Sequence, residues 1–156
     1  MIDWPDAALR LTAAAAVGAA IGLDREARGK PTGVRTLSIV ALGSALAILL
    51  SDYPSGVHAD AYSRVIQGVI TGIGFLGAGV ILREKESDKV QGLTTAATIW
   101  FTACIGMACG LGAWPIVVTA AVLVALILAL GKRLERLLLK PDKKDADSPP
   151  DQNAAN

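Results

Sequence analysis

Residues 8–50 read ALRLTAAAAVGAAIGLDREARGKPTGVRTLSIVALGSALAILL, which is two apolar segments joined by a short charged connection. The connection, residues 24–36, holds four lysines and arginines and two acids, whereas the flanking segments carry no charge apart from Arg10. A helix needs about 20 apolar residues to cross a bilayer, and each segment approaches that length when its ends are included. The stretch therefore predicts a hairpin of two membrane-spanning helices.

Three further segments avoid charge, at 65–82, 93–111 and 113–130. Apolar residues make up 53% of the 156 residues. Five helices that are apolar on every face cannot be buried inside a soluble protein of 16.1 kDa, because too little chain remains to cover them. We therefore predict an all-α integral membrane bundle with one transmembrane domain at 1–140 and a disordered, proline-containing cytoplasmic tail at 141–156. The five predicted helices are at about 5–24, 34–51, 64–83, 92–111 and 114–132.

The basic residues alternate between the two ends of the predicted helices. The connections at 24–36 and 83–92 hold four and three of them, whereas 51–64 holds one and 112–115 none. The positive-inside rule then places the N-terminus outside and the C-terminus in the cytoplasm. The acidic start of the chain and the charged connection after the first segment argue against a cleaved signal peptide.

The acids of the first connection need a separate explanation, since Asp and Glu contribute little to membrane orientation. Asp24 and Glu26 follow the negative end of helix one, and Arg35 lies at the positive end of helix two, so all three charges are unfavourably placed. We expect a contact of Asp24 or Glu26 with Arg35 or Arg83 to remove this conflict. The hypothesis predicts that Asp24→Asn and Arg35→Ala each destabilise the fold.

Glycines recur along helix three, above all in GIGFLGAG at 72–79. This run matches the dinucleotide pattern G-x-G-x-x-G, but it lies within an apolar helix and not between a strand and a helix. Glycine costs up to about 1 kcal/mol relative to alanine in a helix, so such a set indicates close helix contacts. We therefore expect helix three to be the centre of the bundle. The predicted packing glycines are Gly18, Gly22, Gly68, Gly72, Gly74, Gly77 and Gly79.

Helix four carries threonines and then Gly106 and Gly110 at four-residue spacing. One interpretation is small-residue packing, with each hydroxyl bonded to its own helix. The other is a polar seam that lines a pathway or meets a partner protein. The helix-four seam consists of Thr94, Thr95, Thr98 and Thr102.

The polar residues disfavour several classes of function. Helices two to five contain no Asp or Glu, and Gln67 is their one other strongly polar side chain, whereas coupled ion transporters usually place carboxylates near the midplane. Arg10 is expected to extend to the outer interface or to meet Asp52 or Asp60. No nucleophile with a base and no set of metal ligands stands out, so we predict a protein that is not an enzyme and has no cofactor or metal.

Three runs resemble signature runs of the MgtC/SapB family, in the same order. They are GLDREARGKPTGVRT at 22–36, GIGFLGAGVILRE at 72–84 and VQGLTTAATIWFTACIGMACGLG at 90–112, within a resemblance that covers about residues 9–130. The resemblance implies a bacterial inner-membrane protein linked to survival under magnesium limitation and, in pathogens, inside macrophages. It implies a regulatory role, with inhibition of the F-type ATP synthase proposed for some members. The chain resembles the short, SapB-like form without a C-terminal ACT-like domain.

The resemblance also implies a site on the inner face of the membrane, with Gly92, Thr94 and Thr95 opposite it. This inner-face charged site comprises Asp24, Arg25, Glu26, Arg28, Arg35, Thr36 and Arg83. The leading hypothesis is a regulator of magnesium or envelope homeostasis that contacts another membrane protein, such as the ATP synthase. The alternative is a cation (Mg²⁺) channel or transporter along the helix-four seam. A third is a scaffold that binds itself, and we expect a homodimer in the lipid bilayer with no nucleic-acid partner.

Overall fold

The computed structural model describes residues 3–52, 59–83 and 92–138. This part of the chain is all-helical, without strands, which confirms the predicted class. The helices are α1 (Trp4–Ala27), α2 (Val34–Ser51), α3 (Ala59–Arg83), α4 (Leu93–Gly110) and α5 (Trp114–Leu138).

Four of these helices contain a stretch long and apolar enough to cross a membrane. The apolar part of α5, Trp114–Leu130, is shorter. The number of spans and the orientation in the membrane therefore stay predictions. The predicted tail at 141–156 lies outside the described residues.

The helices are longer than the apolar segments that predict them. α1 continues to Ala27, so Asp24 and Glu26 lie in its last turns and not in a loop. Likewise, α3 begins at Ala59, five residues before the predicted start near 64. An apolar segment marks only the part of a helix that suits the hydrocarbon core of the bilayer, and the polar ends of the helix extend beyond that part.

The chain divides into two compact units, Met1–Leu123 and Val124–Asn156. In the first unit, α2 packs against both α1 and α4, and α3 packs mainly on α4. The described part of the second unit is the second half of α5.

The contact between α1 and α2 is very close because α1 presents small residues to it. A Cβ atom added to Gly18 would lie 2.5 Å from the carbonyl oxygen of Leu37, and one added to Gly22 would lie 2.5 Å from the Cα of Val34. Ala14, one turn before Gly18, is completely buried. Small residues at every fourth position thus allow the two backbones to touch.

α4 approaches the other side of α2 in the same way. A Cβ atom on Gly110 would lie 2.7 Å from the carbonyl oxygen of Ala45, and Gly106 is packed onto the backbone of Ala41. In the most apolar window of each helix, 56% of α4 is buried but only 11% of α3. The centre of the described bundle is therefore α4.

The expectation that helix three is the centre of the bundle is wrong for the described part of one chain. A Cβ atom on Gly68, Gly72, Gly74 or Gly79 would meet no atom within 4 Å, and only Gly77 has a neighbour, Ala96 at 3.5 Å. A glycine pattern indicates that a surface permits close approach, but it does not tell which helix or which molecule covers that surface.

Candidate functional site: a buried arginine clamp

The buried side of α1 ends in an arginine. Arg25 is only 3% exposed, although it carries a permanent charge. It follows Gly18 and Gly22 at helical spacing, so it lies on the same stripe that packs against the neighbouring helices. The close packing of α1 therefore buries its guanidinium group.

The guanidinium of Arg25 donates hydrogen bonds to four oxygen atoms. Its Nη2 donates to Thr95 Oγ1 at 2.6 Å and to the Pro31 carbonyl at 2.9 Å. Its Nη1 donates to Thr98 Oγ1 at 3.1 Å, and its Nε to the Thr32 carbonyl at 3.3 Å. One side chain thus joins the end of α1, the α1–α2 connection and the first turns of α4. We call these five residues the Arg25 clamp.

The threonines of α4 can accept from Arg25 because their own hydroxyl protons are directed along the helix. Thr98 Oγ1 donates to the Thr94 carbonyl at 2.7 Å, and Thr102 Oγ1 donates to the Thr98 carbonyl at 2.8 Å. Thr95, Thr98 and Thr102 are at most 5% exposed. Of the two interpretations of the helix-four seam, this geometry matches packing with hydroxyls bonded to their own helix.

The α1–α2 connection has an unusual backbone where it meets Arg25. Thr32 has a φ of 62°, which is the left-handed region that a β-branched residue rarely adopts. Such a conformation costs of the order of 1–3 kcal/mol and persists only when its surroundings impose it. The hydrogen bond from Arg25 to the Thr32 carbonyl is one of the contacts that hold the connection in this shape.

The expected pairing of the acids with Arg35 is wrong. Asp24 pairs with Arg28 one turn later on α1, with Oδ1 2.6 Å from Arg28 Nη2, and Arg35 is exposed. Asp24 lies four residues before Arg28, an arrangement that stabilises a helix by itself. Arg83 ends α3, but its side chain lies outside the part of the chain that the structure describes.

Glu26 is favourably placed, contrary to the sequence-based argument. Its Oε2 accepts a hydrogen bond from the Val34 backbone N–H at 3.2 Å. The tight hairpin brings the end of α1 beside the start of α2, so Glu26 meets the positive end of the next helix. The dipole of α1 alone, without that of α2, therefore gives the wrong expectation for Glu26.

A second arginine of α1 joins the opposite end of α4. Arg10 pairs with Asp6 at 2.8 Å and donates from Nη1 to the Gly110 carbonyl at 2.9 Å. Of the partners considered from the sequence, Asp60 is exposed, and Arg10 forms its ion pair with Asp6 and not with Asp52 or Asp60. Arg10 therefore fixes the C-terminal end of α4 where its carbonyl groups favour a cation.

The structure brings together only part of the predicted site. Arg25, Thr95 and Thr98 meet, whereas Thr36 and Thr94 have exposed side chains. The central position of Arg25 in the site was not predicted from the sequence. The signal was present, because Arg10, Ala14, Gly18, Gly22 and Arg25 follow one another at spacings of three or four residues.

The chemistry of the clamp is that of a fixed, fully engaged cation. Among the described residues, its acceptors are two hydroxyl and two carbonyl oxygens, which can hold a guanidinium group in one orientation. In the part of the chain that the structure describes, no group of three or more His, Cys, Asp or Glu side chains could hold a metal ion. The clamp is thus suited to set the geometry of three segments.

These features define a multi-pass helical membrane protein in which two arginines of the first helix join the ends of the fourth. The chain belongs to the MgtC family, whose sequence model matches residues 11–137.

Curated relatives agree with this assignment. The chain is 43% identical over 145 residues to the SrpB protein of Synechococcus elongatus, an alignment of 86% of this chain and 80% of SrpB. It is 44% identical over 116 residues to MgtC of Salmonella typhimurium and 38% identical over 122 residues to SapB of Bacillus subtilis. Those alignments cover 74% and 72% of this chain but only 48% and 52% of MgtC and SapB, so the chain spans about half the length of these two relatives. No solved structure matches the chain.

Proposed function

We propose that this chain is a non-enzymatic regulator of magnesium or envelope homeostasis in the bacterial inner membrane, where it acts through contacts with other membrane proteins. In this proposal it crosses the membrane five times, with its N-terminus outside and its C-terminus in the cytoplasm. The distribution of Lys and Arg supports the orientation. Membership of the MgtC family supports the physiological setting.

The observation that carries the proposal is the engagement of the helix-four seam by Arg25. Thr95 and Thr98 accept hydrogen bonds from the guanidinium, and Thr98 and Thr102 donate to their own helix. A pathway for a cation needs oxygen atoms that face the ion, and a fixed arginine beside them would repel it. Because Arg25 occupies the threonine oxygens of α4, this site supports a protein that acts through its outer surfaces and not through a pathway for ions.

The proposal includes two kinds of partner. One is a second copy of the chain, in a homodimer. The other is a membrane-protein complex, for which the family resemblance suggests the F-type ATP synthase. The lipid bilayer surrounds both.

Ion flux distinguishes the regulator from the channel predicted as its alternative. The purified chain would be placed in liposomes that contain a Mg²⁺-sensitive dye. We expect no Mg²⁺ flux above that of empty liposomes. A flux that Thr98→Leu abolishes and Thr94→Leu preserves would establish the channel and overturn the proposal.

A growth assay tests the regulatory role directly. In the native bacterium without its own copy of the gene, wild-type chain should restore growth at limiting Mg²⁺, and Arg25→Gln should not. Arg35→Gln, which removes an exposed arginine nearby, is the matched control and should restore growth. Equal levels of each protein in the membrane fraction are required. Full growth with Arg25→Gln would contradict a functional role for the clamp.

A further inference from the structure

The first half of α3 has its polar residues at exposed positions. Its exposed positions recur every three or four residues, so they form one face. The opposite positions are apolar and half-buried, among them Ile66, Val69 and Ile73. We call the exposed polar set the α3 polar face, and it consists of Asp60, Ser63, Arg64, Gln67 and Thr71.

This arrangement is the reverse of what lipid contact favours. The apolar window Asp60–Ile81 is long enough to cross a membrane, and Gln67 lies about 10 Å along it at 1.5 Å per residue. The Thr71 hydroxyl is satisfied, since it donates to the Gln67 carbonyl at 2.8 Å. The Gln67 amide makes no hydrogen bond with any described residue, and an amide left unsatisfied in hydrocarbon costs several kcal/mol.

Beside the α3 polar face, the exposed side of α3 also permits close approach of another helix. A Cβ atom on Gly68 or Gly72 would meet nothing within 4 Å, so the backbone of α3 is open there. Between Gly72 and Gly79, Phe75 projects with 81% of its surface exposed. Small residues beside a large one form the notch and the knob by which membrane helices pack.

A second copy of this chain provides the matching surface, whereas an apolar helix does not. Residues 116–130 of α5 contain Thr119 as their only polar side chain, so this apolar part of α5 offers one hydroxyl and no charge. A second α3 offers a carboxamide to Gln67, which both donates and accepts. It also offers Asp60 and Arg64, which carry opposite charges one turn apart.

We propose that the α3 polar face joins two copies of this chain in the membrane. Both copies insert in the same direction, so the axis that relates them is two-fold and parallel to the membrane normal. Residues of equal depth then meet, which pairs Gln67 with Gln67. Arg64 of each copy lies about 6 Å in depth from Asp60 of the other, a distance that the long arginine side chain can span. Phe75 of one copy lies level with the notch between Gly72 and Gly79 of the other.

This inference rests on one part of the proposed function, the homodimer, and names the surface that forms it. The inference can be wrong while the proposed function is right. Self-association through another helix would contradict a contact at the α3 polar face but would not contradict the regulatory role. Conversely, self-association is measured without Mg²⁺ flux or growth at limiting Mg²⁺, so a failure of the proposed function in those two tests would not by itself contradict the α3 contact.

Energy transfer between labelled copies in liposomes, measured as the protein is diluted with lipid, tests the proposal. We expect wild-type dimers, an association about 3- to 20-fold weaker in Gln67→Leu through loss of an interhelical hydrogen bond, and about tenfold weaker in Gly72→Leu. Gly43→Leu on α2 is the matched control, since Gly43 is also exposed with nothing within 4 Å. It should associate as the wild type does. A monomer at every dilution, or equal weakening by Gly43→Leu, would overturn the proposal.

Cysteine cross-linking locates the contact independently. Gln67→Cys should form a disulfide-linked dimer on mild oxidation in the membrane, and Ile39→Cys, at an exposed position of α2, should not. The wild-type chain is the blank, because it retains Cys104 and Cys109. Cross-linking through position 39 with none through position 67 would assign the contact to α2 and overturn the α3 polar face.

Discussion

Two arginines of the same helix hold the two ends of α4, and they do so by different means. Arg25 is 3% exposed and, among the described residues, donates to four uncharged oxygen atoms. Arg10, about 22 Å away along α1 at 1.5 Å per residue, keeps 20% of its side chain exposed and pairs with Asp6, which is 39% exposed. The first contact is buried, whereas the second is in contact with water.

The difference in exposure matters because water weakens the ion pair of Arg10, whereas the hydrogen bonds of Arg25 are shielded from water. A hydrogen bond from a charged group is worth about 1.5–3 kcal/mol, and a buried donor or acceptor left unpaired costs a similar amount. An ion pair in contact with water typically contributes about 0.2–1 kcal/mol and is screened by salt. We therefore expect the Arg25 end of the bundle to determine its stability and the Arg10 end to adjust it.

Removal of Arg25 should give the largest loss of stability. Arg25→Ala leaves two threonine hydroxyls and two carbonyls without their donor, and we expect a loss of about 3–5 kcal/mol in the free energy of unfolding. Arg25→Lys keeps the charge but not the planar fork, so it should lose about 2 kcal/mol. Thermal unfolding in one detergent provides the measurement. Arg35→Ala and Arg35→Lys are the controls, and equal losses at positions 25 and 35 would contradict the clamp.

Removal of Arg10 should cost less and should depend on salt. Arg10→Ala loses the pair with Asp6 and the bond to the Gly110 carbonyl, for which we expect about 1–2 kcal/mol at low ionic strength. The loss should shrink when NaCl is raised from 0.05 to about 1 M, because the Debye length falls to about 3 Å. The loss caused by Arg25→Ala should depend on salt much less, because Arg25 is buried and buried contacts are screened less. A similar salt dependence at both positions would remove the distinction between the two ends.

The threonines of α4 test the geometry of the clamp at a finer level. Thr98→Val keeps the shape of the side chain but removes the acceptor for Arg25 Nη1, so we expect a loss of about 1–2 kcal/mol. Thr94→Val, at an exposed position of the same seam, should change stability by less than about 0.5 kcal/mol. Unfolding of the two variants side by side measures the difference. If they behaved alike, the hydroxyl of Thr98 would not be a ligand of Arg25.

Much of this fold could be predicted from the sequence, because lipid requires long apolar helices and their boundaries in sequence are clear. The all-helical class, the α1–α2 hairpin and the small-residue stripe of α1 belong to this part. The partners of the charged residues could not be predicted in the same way. Glu26 meets the start of α2, and Arg25 meets Thr95 and Thr98 about 70 residues later, through contacts that depend on how the helices cross.

The centre of the bundle was also beyond the reach of the sequence. Gly72 on α3 and Gly106 on α4 are equally small, but a Cβ atom on Gly106 would collide with the backbone of Ala41, whereas one on Gly72 would meet no atom of the described residues within 4 Å. Whether a glycine is packed depends on which helix surfaces meet, and the amino-acid composition of a helix does not determine this. The helical periodicity of α1 does predict one further feature. It places Arg10 and Arg25 on the same stripe as the small residues that pack against α2.

The smallest expected effect reverses a prediction made from the sequence. Asp24→Asn was expected to destabilise the fold by breaking a contact between two hairpins, but Asp24 pairs with Arg28 on its own helix, and both side chains are about one-third exposed. Such a pair contributes about 0.3–0.5 kcal/mol, so Asp24→Asn should hardly change the unfolding temperature, and Arg28→Gln should behave alike. A double variant no worse than either single one would show that they act only on each other. A loss of more than about 2 kcal/mol in Asp24→Asn would instead mean that this acid stabilises the connection beside the Arg25 clamp, and that the charge there matters as much as the geometry.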